Sequence, residues 1–225
     1  MFDHLYALGC SWTEGTDDEK KRQGWVGRLA NKIDCNFTNL GGKGDSNWLQ
    51  YYNFLQQPVK SNSICIWGLS SFTRIIGKNF QTIYAGDYDK SYLLKYHDDQ
   101  ALQYQTMIML HSWQTYCKQH NIKNLLFVSF DDIQRIDKSY NINKQVYNLL
   151  DYTDIITETN MKDYIGGKNN ISGDTLENMS MAKFFGRHSN KTSVNLNYFS
   201  RDGHPNANGY SLWADYLYKR LTNAN

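Results

Sequence analysis

Three short apolar runs limit what this chain can become. Leu5-Tyr6-Ala7-Leu8, Ile64-Cys65-Ile66-Trp67 and Leu125-Leu126-Phe127-Val128 are too short for ordinary helices, and small or polar residues end each of them. They read as strands. The middle run belongs to a near-continuous apolar stretch over 63–69, as expected of a strand covered on both faces. Residues 2–9 give the first strand, 35–40 a second, and Asn124 to Phe130 a fourth. Between them apolar residues recur at helical spacing: Trp25, Val26, Leu29, Ala30 and Ile33 over 25–34, then Trp48, Leu49, Tyr52 and Leu55. Leu102, Met107, Ile108, Leu110 and Trp113 mark a helix over 99–120, and Tyr210, Trp213, Ala214, Leu217 and Leu221 a last one. Strands alternating with helices predict an α/β fold: a mostly parallel, doubly wound sheet in a three-layer α/β/α arrangement.

A length of 225 residues suits one such domain, and there is no internal repeat or linker. Two stretches lack clear periodicity. Residues 77–98 are aromatic and polar, and 158–198 are rich in Asn, Ser, Lys and Gly, so both read as insertions into a single domain over 1–225. Residues 138–157 predict a helix, followed by a short strand around Ile155-Ile156.

Composition narrows the function classes. The formal net charge is +2, with charges scattered along the chain and no basic block, which argues against nucleic acid as the main partner. Cys10, Cys35, Cys65 and Cys117 are far apart and show no Cys-x-x-Cys spacing. They read as reduced core residues and not as a disulfide framework or a zinc site. Met1-Phe2-Asp3-His4 is not a basic leader, and no run reaches the length of a membrane span. The expectation is a protein made in the cytoplasm without a signal peptide. Seventeen Tyr and six Trp predict many aromatic residues near the surface, where they could stack on sugars; the competing reading is that they only cover the core.

The chemistry starts at Gly9-Cys10-Ser11. A serine on a tight turn after a strand can project its hydroxyl over the sheet edge, where open α/β sheets bind ligands. The competing reading is that Ser11 caps a following helix. Three further loops fall at the same edge. They carry Gly44, then Ser70, then Asp202 and His204. Acyl transfer needs a hydroxyl nucleophile, a base and donors for the developing oxyanion. Ser11 and His204 can supply the first two, and backbone N–H groups at Ser11 and Gly44 the donors.

These residues resemble the sequence blocks of the SGNH hydrolases, also called GDSL esterases. Gly9-Cys10-Ser11-Trp12-Thr13 is similar to the Gly-Asp-Ser-Leu block. Asn39-x-Gly41-x-x-Gly44-x-Ser46 matches the second block at every fixed position. Gly68-Leu69-Ser70-Ser71 sits where the third, Gly-x-Asn-Asp, belongs, and Asp202-Gly203-His204-Pro205 resembles the fifth. The blocks follow in the family's order across nearly the whole chain. The resemblance implies the SGNH-hydrolase, flavodoxin-like fold. It implies Ser11 as nucleophile, His204 as general base and Asp202 as the acid orienting it. The oxyanion hole would be formed by Ser11, Gly44 and a third-block side chain. It implies no cofactor and no metal. The expected substrates are small-molecule or glycan esters, acetyl esters of carbohydrates among them.

The chain departs from the pattern in three places. Cys10 replaces the first-block aspartate, which is not itself catalytic. Ser70 replaces the third-block asparagine with a shorter side chain that must be oriented. The usual Asp-x-x-His spacing would put the acid at Arg201, whereas Asp202 lies two before His204. A backbone carbonyl could therefore orient His204 instead, leaving a Ser–His dyad. Arg74, just after the third block, is a candidate for binding a substrate carboxylate, against a salt bridge or a solvated side chain. His111 and His120 read as packing or surface residues, while His188 lies in the second insertion and could reach the site. The expected function is a serine esterase acting on short acyl esters, plausibly of carbohydrate. The alternative is an SGNH-fold binding or structural module with weakened turnover. The Ile-, Lys-, Asn- and Tyr-rich composition and the Gly-Cys-Ser block resemble viral and environmental members of the family, and that resemblance implies a virion part acting on host surface glycans. A flavodoxin-like nucleotide binder fits less well, because no phosphate loop of recognised spacing is present.

Overall fold

Four strands pair side by side, all parallel, in the order β2-β1-β3-β6. In the computed structural model, residues 2–15, 24–71, 74–76, 82–84, 99–129, 181, 197–200 and 203–222 are described. The strands are β1 (His4–Gly9), β2 (Asn36–Asn39), β3 (Ser63–Leu69) and β6 (Lys123–Val128). A two-stranded antiparallel ribbon joins β4 (Arg74–Ile76) to β5 (Thr82–Tyr84). The helices are α1 (Ser11–Glu14), α2 (Trp25–Ile33), α3 (Asn47–Leu55), α4 (Asp99–Gln119) and α5 (Ala207–Thr222).

The alternation of side chains along each strand splits the core in two. Leu5 and Ala7 of β1, Ile64 and Ile66 of β3, and Leu125 and Phe127 of β6 face α2 and α5. Tyr6 and Leu8, Cys65, Trp67 and Leu69, and Leu126 and Val128 face α3 and α4. Both faces are covered, which is why β3 is buried at every position. Expected strands and helices thus stand within one to three residues of their predicted bounds, in three layers.

Among the described residues, most tryptophans fill these layers. Trp25, Trp67, Trp113 and Trp213 are among the largest fully buried side chains. Phe127 stands between Trp25 and Trp213, with ring centroids at 5.7 and 4.9 Å in edge-on contact. Across the sheet, Trp67 meets Trp113 edge-on at 5.3 Å. Such pairs contribute about 0.5–1.5 kcal/mol each beyond the area they bury. Trp48 and Tyr52 are exposed on α3; nearly all tyrosines of 77–98 and 158–198 lie outside the described residues. All four cysteines are free thiols, three buried and Cys35 half-buried.

Some expectations change in detail. The exit loop after β3 is short, since β4 already starts at Arg74 and opens the ribbon that leads into the 77–98 excursion. Ser46 caps α3, its hydroxyl accepting from the Leu49 N–H at 3.3 Å. Asn206 caps α5, its Oδ1 accepting from the Asn208 and Gly209 N–H groups at 3.0 and 3.1 Å. The helix predicted over 138–157, the strand at Ile155-Ile156 and nearly all of the 158–198 insertion lie outside the described residues. No described helix is long and apolar enough to cross a membrane.

Gln50 makes a polar junction in the α3 layer. Its Oε1 accepts from Trp67 Nε1–H at 2.7 Å, and its Nε2 donates to the Asp45 carbonyl at 3.1 Å. Gln50 and Trp67 are both wholly buried. Gln50→Leu keeps the volume but strands a buried indole N–H, so it should lower stability by about 1–3 kcal/mol in urea melts. An unchanged melt would show that this bond contributes nothing.

Candidate active site

The order β2-β1-β3 makes the carboxyl ends of β1 and β3 the point where the chain's winding reverses, and open sheets bind ligands there. Gly9 pairs with Gly68 at the last rung, so the segments leaving β1 and β3 emerge as neighbours. One carries Ser11, the other Ser70.

After Gly9 the chain enters one helical turn, α1. Cys10 is its N-cap and makes no side-chain cap bond. Ser11 is the first helical residue, so its hydroxyl does not cap the turn, and the capping reading of Ser11 falls. As first residue of the turn, its N–H has no intrahelical acceptor. The Thr13 and Glu14 N–H groups both bond to the Cys10 carbonyl, at 2.8 and 2.9 Å. The Cys10 thiol is buried; burial pushes its pKa up, opposed by a hydrogen bond from the Trp12 backbone and by the Arg74 charge. It stays a protonated packing group, leaving Ser11 as the nucleophile candidate.

The second block explains itself as the clamp on this turn. Asn39 Nδ2 donates to the carbonyls of Thr13 and Glu14 at 2.9 and 3.4 Å, and its Oδ1 accepts from the Gly41 N–H at 2.9 Å. Gly41 lies so close to α1 that a Cβ there would run into the backbone nitrogen of Glu14. Gly42 N–H then reaches the Gly9 carbonyl at 3.1 Å. Gly44 follows in the left-handed region, with φ of 80°. That conformation suits glycine and turns its backbone away from the strand.

His204 arrives from the far end of the chain. Ser200 N–H bonds to the His204 carbonyl at 2.9 Å, Ser200 Oγ does the same at 2.9 Å, and Phe199 pairs with Pro205 across the loop. Phe199 packs against Trp12 at 5.7 Å, tying the loop to α1. The outcome is a contact between His204 Nε2 and Ser11 Oγ at 3.1 Å. In the tautomer with the proton on Nδ1, the Ser11 hydroxyl donates to Nε2, the geometry of a serine poised for deprotonation. Ser11 is 7% exposed, nearly dry yet not sealed. Asp202 lies outside the described residues, as do Arg201, His97 and His188.

The third block is built differently from the expected asparagine. Ser70 is wholly buried. Its N–H donates to Asn47 Oδ1 at 2.8 Å and its carbonyl accepts from Asn47 Nδ2 at 2.9 Å. Its hydroxyl accepts from Arg74 Nη1 at 2.6 Å. Sequence reasoning missed Asn47, whose place just after the Ser46 cap was the available signal. Arg74 joins the site through Ser70. His111 on α4 and His120 just after it stay apart from the site: His120 is exposed and sits 4.3 Å from the Tyr116 ring. His111 lines a cavity of about 530 Å³ with Lys118, Lys123 and Asn124 at the opposite, amino-terminal edge of the strands. Among the described residues no cluster of three or more His, Cys, Asp or Glu is placed to hold a metal ion.

The clamp makes a checkable claim. In Asn39→Asp a carboxylate oxygen would face the carbonyl oxygens of Thr13 and Glu14. Stability should fall by about 1–3 kcal/mol. A thermal melt that does not move would show that the amide does not hold α1.

No protein-family model matches the chain, and no curated protein does. Solved structures match it over nearly its whole length. A protein from Lactobacillus plantarum is 14% identical over 100% of this chain and 98% of its own, with a TM-score of 0.53. A lipolytic-type protein of the G-D-S-L family from Desulfitobacterium hafniense is 13% identical over 97% of this chain and 99% of its own, with a TM-score of 0.50. A carbohydrate esterase family 2 enzyme with a carbohydrate-binding domain, from Corynascus thermopiles, is 12% identical over 99% of this chain and 66% of its own, with a TM-score of 0.51. Identities this low speak for architecture alone, and the architecture of this chain is that of the G-D-S-L, or SGNH, hydrolases.

Proposed function

We propose that this protein is a serine carboxylic ester hydrolase that removes short acyl groups, acetyl above all, from carbohydrate. The observation that carries this reading is the 3.1 Å contact between His204 Nε2 and Ser11 Oγ at the carboxyl edge of the sheet. Ser11 Oγ attacks the ester carbonyl carbon while His204 takes its proton. The tetrahedral intermediate collapses, the C–O bond to the alcohol breaks, and the alcohol leaves with the proton from His204. Water, deprotonated by His204, then attacks the acyl-enzyme and releases the acid and free Ser11. The Ser11 and Gly44 N–H groups receive the oxyanion, and the third-block corner of Ser70 and Arg74 completes the hole. Asp202 holds His204 Nδ1–H and stabilises the imidazolium; the rival arrangement is a dyad with a backbone carbonyl in that place.

Carbohydrate as the alcohol is supported by the company the fold keeps. Among the similar structures are the Corynascus enzyme and a second carbohydrate esterase, 13% identical over 99% of this chain and 69% of its own, with a TM-score of 0.50. The active site of that second protein is described as having divergent catalytic and non-catalytic binding functions. A second reading follows the same line: a binding module on an esterase fold. It is favoured by the buried third-block Ser70, whose hydroxyl is already engaged by Arg74.

An activated acetyl ester separates the readings. Wild type should hydrolyse it, and Ser11→Ala should lose nearly all activity while melting like wild type. Equal rates would end the esterase reading. No turnover from acetyl to butyryl esters, with retained affinity for an acetylated glycan, would establish the binding module.

Asp202→Asn tests the acid. In a triad, turnover should fall by roughly two to four orders of magnitude. Near-wild-type turnover would leave the dyad.

A further inference from the structure

Ser70 stands where the family's third block places an asparagine, yet it has the wrong properties for a donor to substrate. It is 0% exposed, its backbone is bonded on both sides by Asn47, and its hydroxyl is spoken for as an acceptor. Arg74, which donates to it, is only partly buried. The guanidinium is therefore the outer member of the pair.

One contact locates that guanidinium: its Nη1 lies 2.6 Å from Ser70 Oγ, at the end of β3. Gly9 pairs with Gly68 at the last rung of β1 and β3, so the corner that holds the guanidinium neighbours the segment that carries Cys10 and Ser11. In keeping with this, the Arg74 charge partly opposes the upward push of burial on the Cys10 thiol. The ribbon that carries Arg74 is fixed to the second-block loop as well. Arg74 pairs with Tyr84, and the hydroxyl of Thr82 accepts from the Ser46 N–H at 3.0 Å, two residues beyond Gly44.

We infer that Arg74 is the third oxyanion donor of this site and that Ser70 is its anchor. This rests on the ester hydrolase reading above. A serine in place of asparagine exchanges a long amide donor for a short hydroxyl that is fully buried, and an acceptor lone pair of that hydroxyl seats the arginine. A guanidinium brings five N–H groups in a fixed plane and a permanent charge, where an asparagine brings two neutral N–H groups. Fixing one Nη1 proton on Ser70 sets the plane of the fork. Charge-assisted bonds to an oxyanion are about twice as strong as neutral ones. Arg74 keeps all its protons throughout: no bond to it forms or breaks, and it acts only on the oxygen that becomes negative in the transition state.

Steady-state kinetics on the activated acetyl ester, together with inhibition by a phosphonate that forms a tetrahedral adduct on Ser11, tests this. Arg74→Gln should lower kcat by roughly 100- to 1000-fold with little change in KM. It should slow phosphonylation in proportion. Arg74→Lys, which restores the charge, should recover part of the loss and guards against a folding artefact. Ser70→Ala should cost less than Arg74→Gln, since it loosens the donor without removing it. A larger loss for Ser70→Ala would make the hydroxyl the donor and overturn the inference. So would an Arg74→Gln variant with raised KM and unchanged kcat, which would place Arg74 on the ground-state substrate. If wild type is active and Ser11→Ala is dead while Arg74→Gln stays active, only the role of Arg74 fails. An inactive wild type overturns both it and the esterase reading.

Discussion

The register between β1 and β3 governs this molecule. Gly9 opposite Gly68 is the last rung of this pair, with β3 running one residue further, and that rung places the Ser11 turn beside the Ser70 corner. A slip of one residue would turn every side chain to the other face. In most sheets one face would resist. Here both would, because Leu5 and Ala7 fill one helical layer while Tyr6 and Leu8 fill the other. The geometry of a hydroxyl and an imidazole at the rim is thus secured by the volumes of residues well below it.

Above the rim there is no ladder to satisfy the backbone, and amide side chains take over. Asn39 joins the second-block loop to α1, Asn47 joins α3 to the end of β3, and Gln50 joins the Asp45 carbonyl to Trp67. Each uses one donor and one acceptor of the same amide. That double capacity makes Asn and Gln able to imitate a strand neighbour where the chain has stopped being a strand. Buried N–H and C=O groups in irregular backbone would otherwise each cost about 1–3 kcal/mol.

The layered fold was legible because its evidence is local: short apolar runs and helical periodicity survive in a single sequence. Cap positions at Ser46 and Asn206 were legible for the same reason. The α1 turn was not, since four residues carry no period. The β4–β5 ribbon was not either; Arg74-Ile75-Ile76 alternates too briefly, and its place depends on a bond between Thr82 and Ser46 that no local pattern announces. On α3 the helical spacing of Trp48, Tyr52 and Leu55 pointed to the wrong face: these three stand exposed, while Asn47 and Gln50 are buried and hydrogen-bonded. The other tryptophans lie buried, since two separate layers need more bulk than one. The pairing of Ser11 with His204 was legible only through ordered blocks, and Asp202, the proposed orienting acid, lies outside the described residues.

Ser11 and His204 are 193 positions apart. Closing a loop of that length costs on the order of 5 kcal/mol in chain entropy, by the logarithmic scaling of loop closure. One hydroxyl–imidazole bond, contributing about 1 kcal/mol, cannot hold such a loop shut. The closure is made by α5 lying on α2 through a wholly buried layer that includes Trp25, Leu29, Trp213 and Leu217. Ser11 and His204 are thus passengers on a helix–helix contact between α2 and α5. The site can exist only as a late product of folding, after nearly all of the chain has been synthesised and the last helix has docked on the first half.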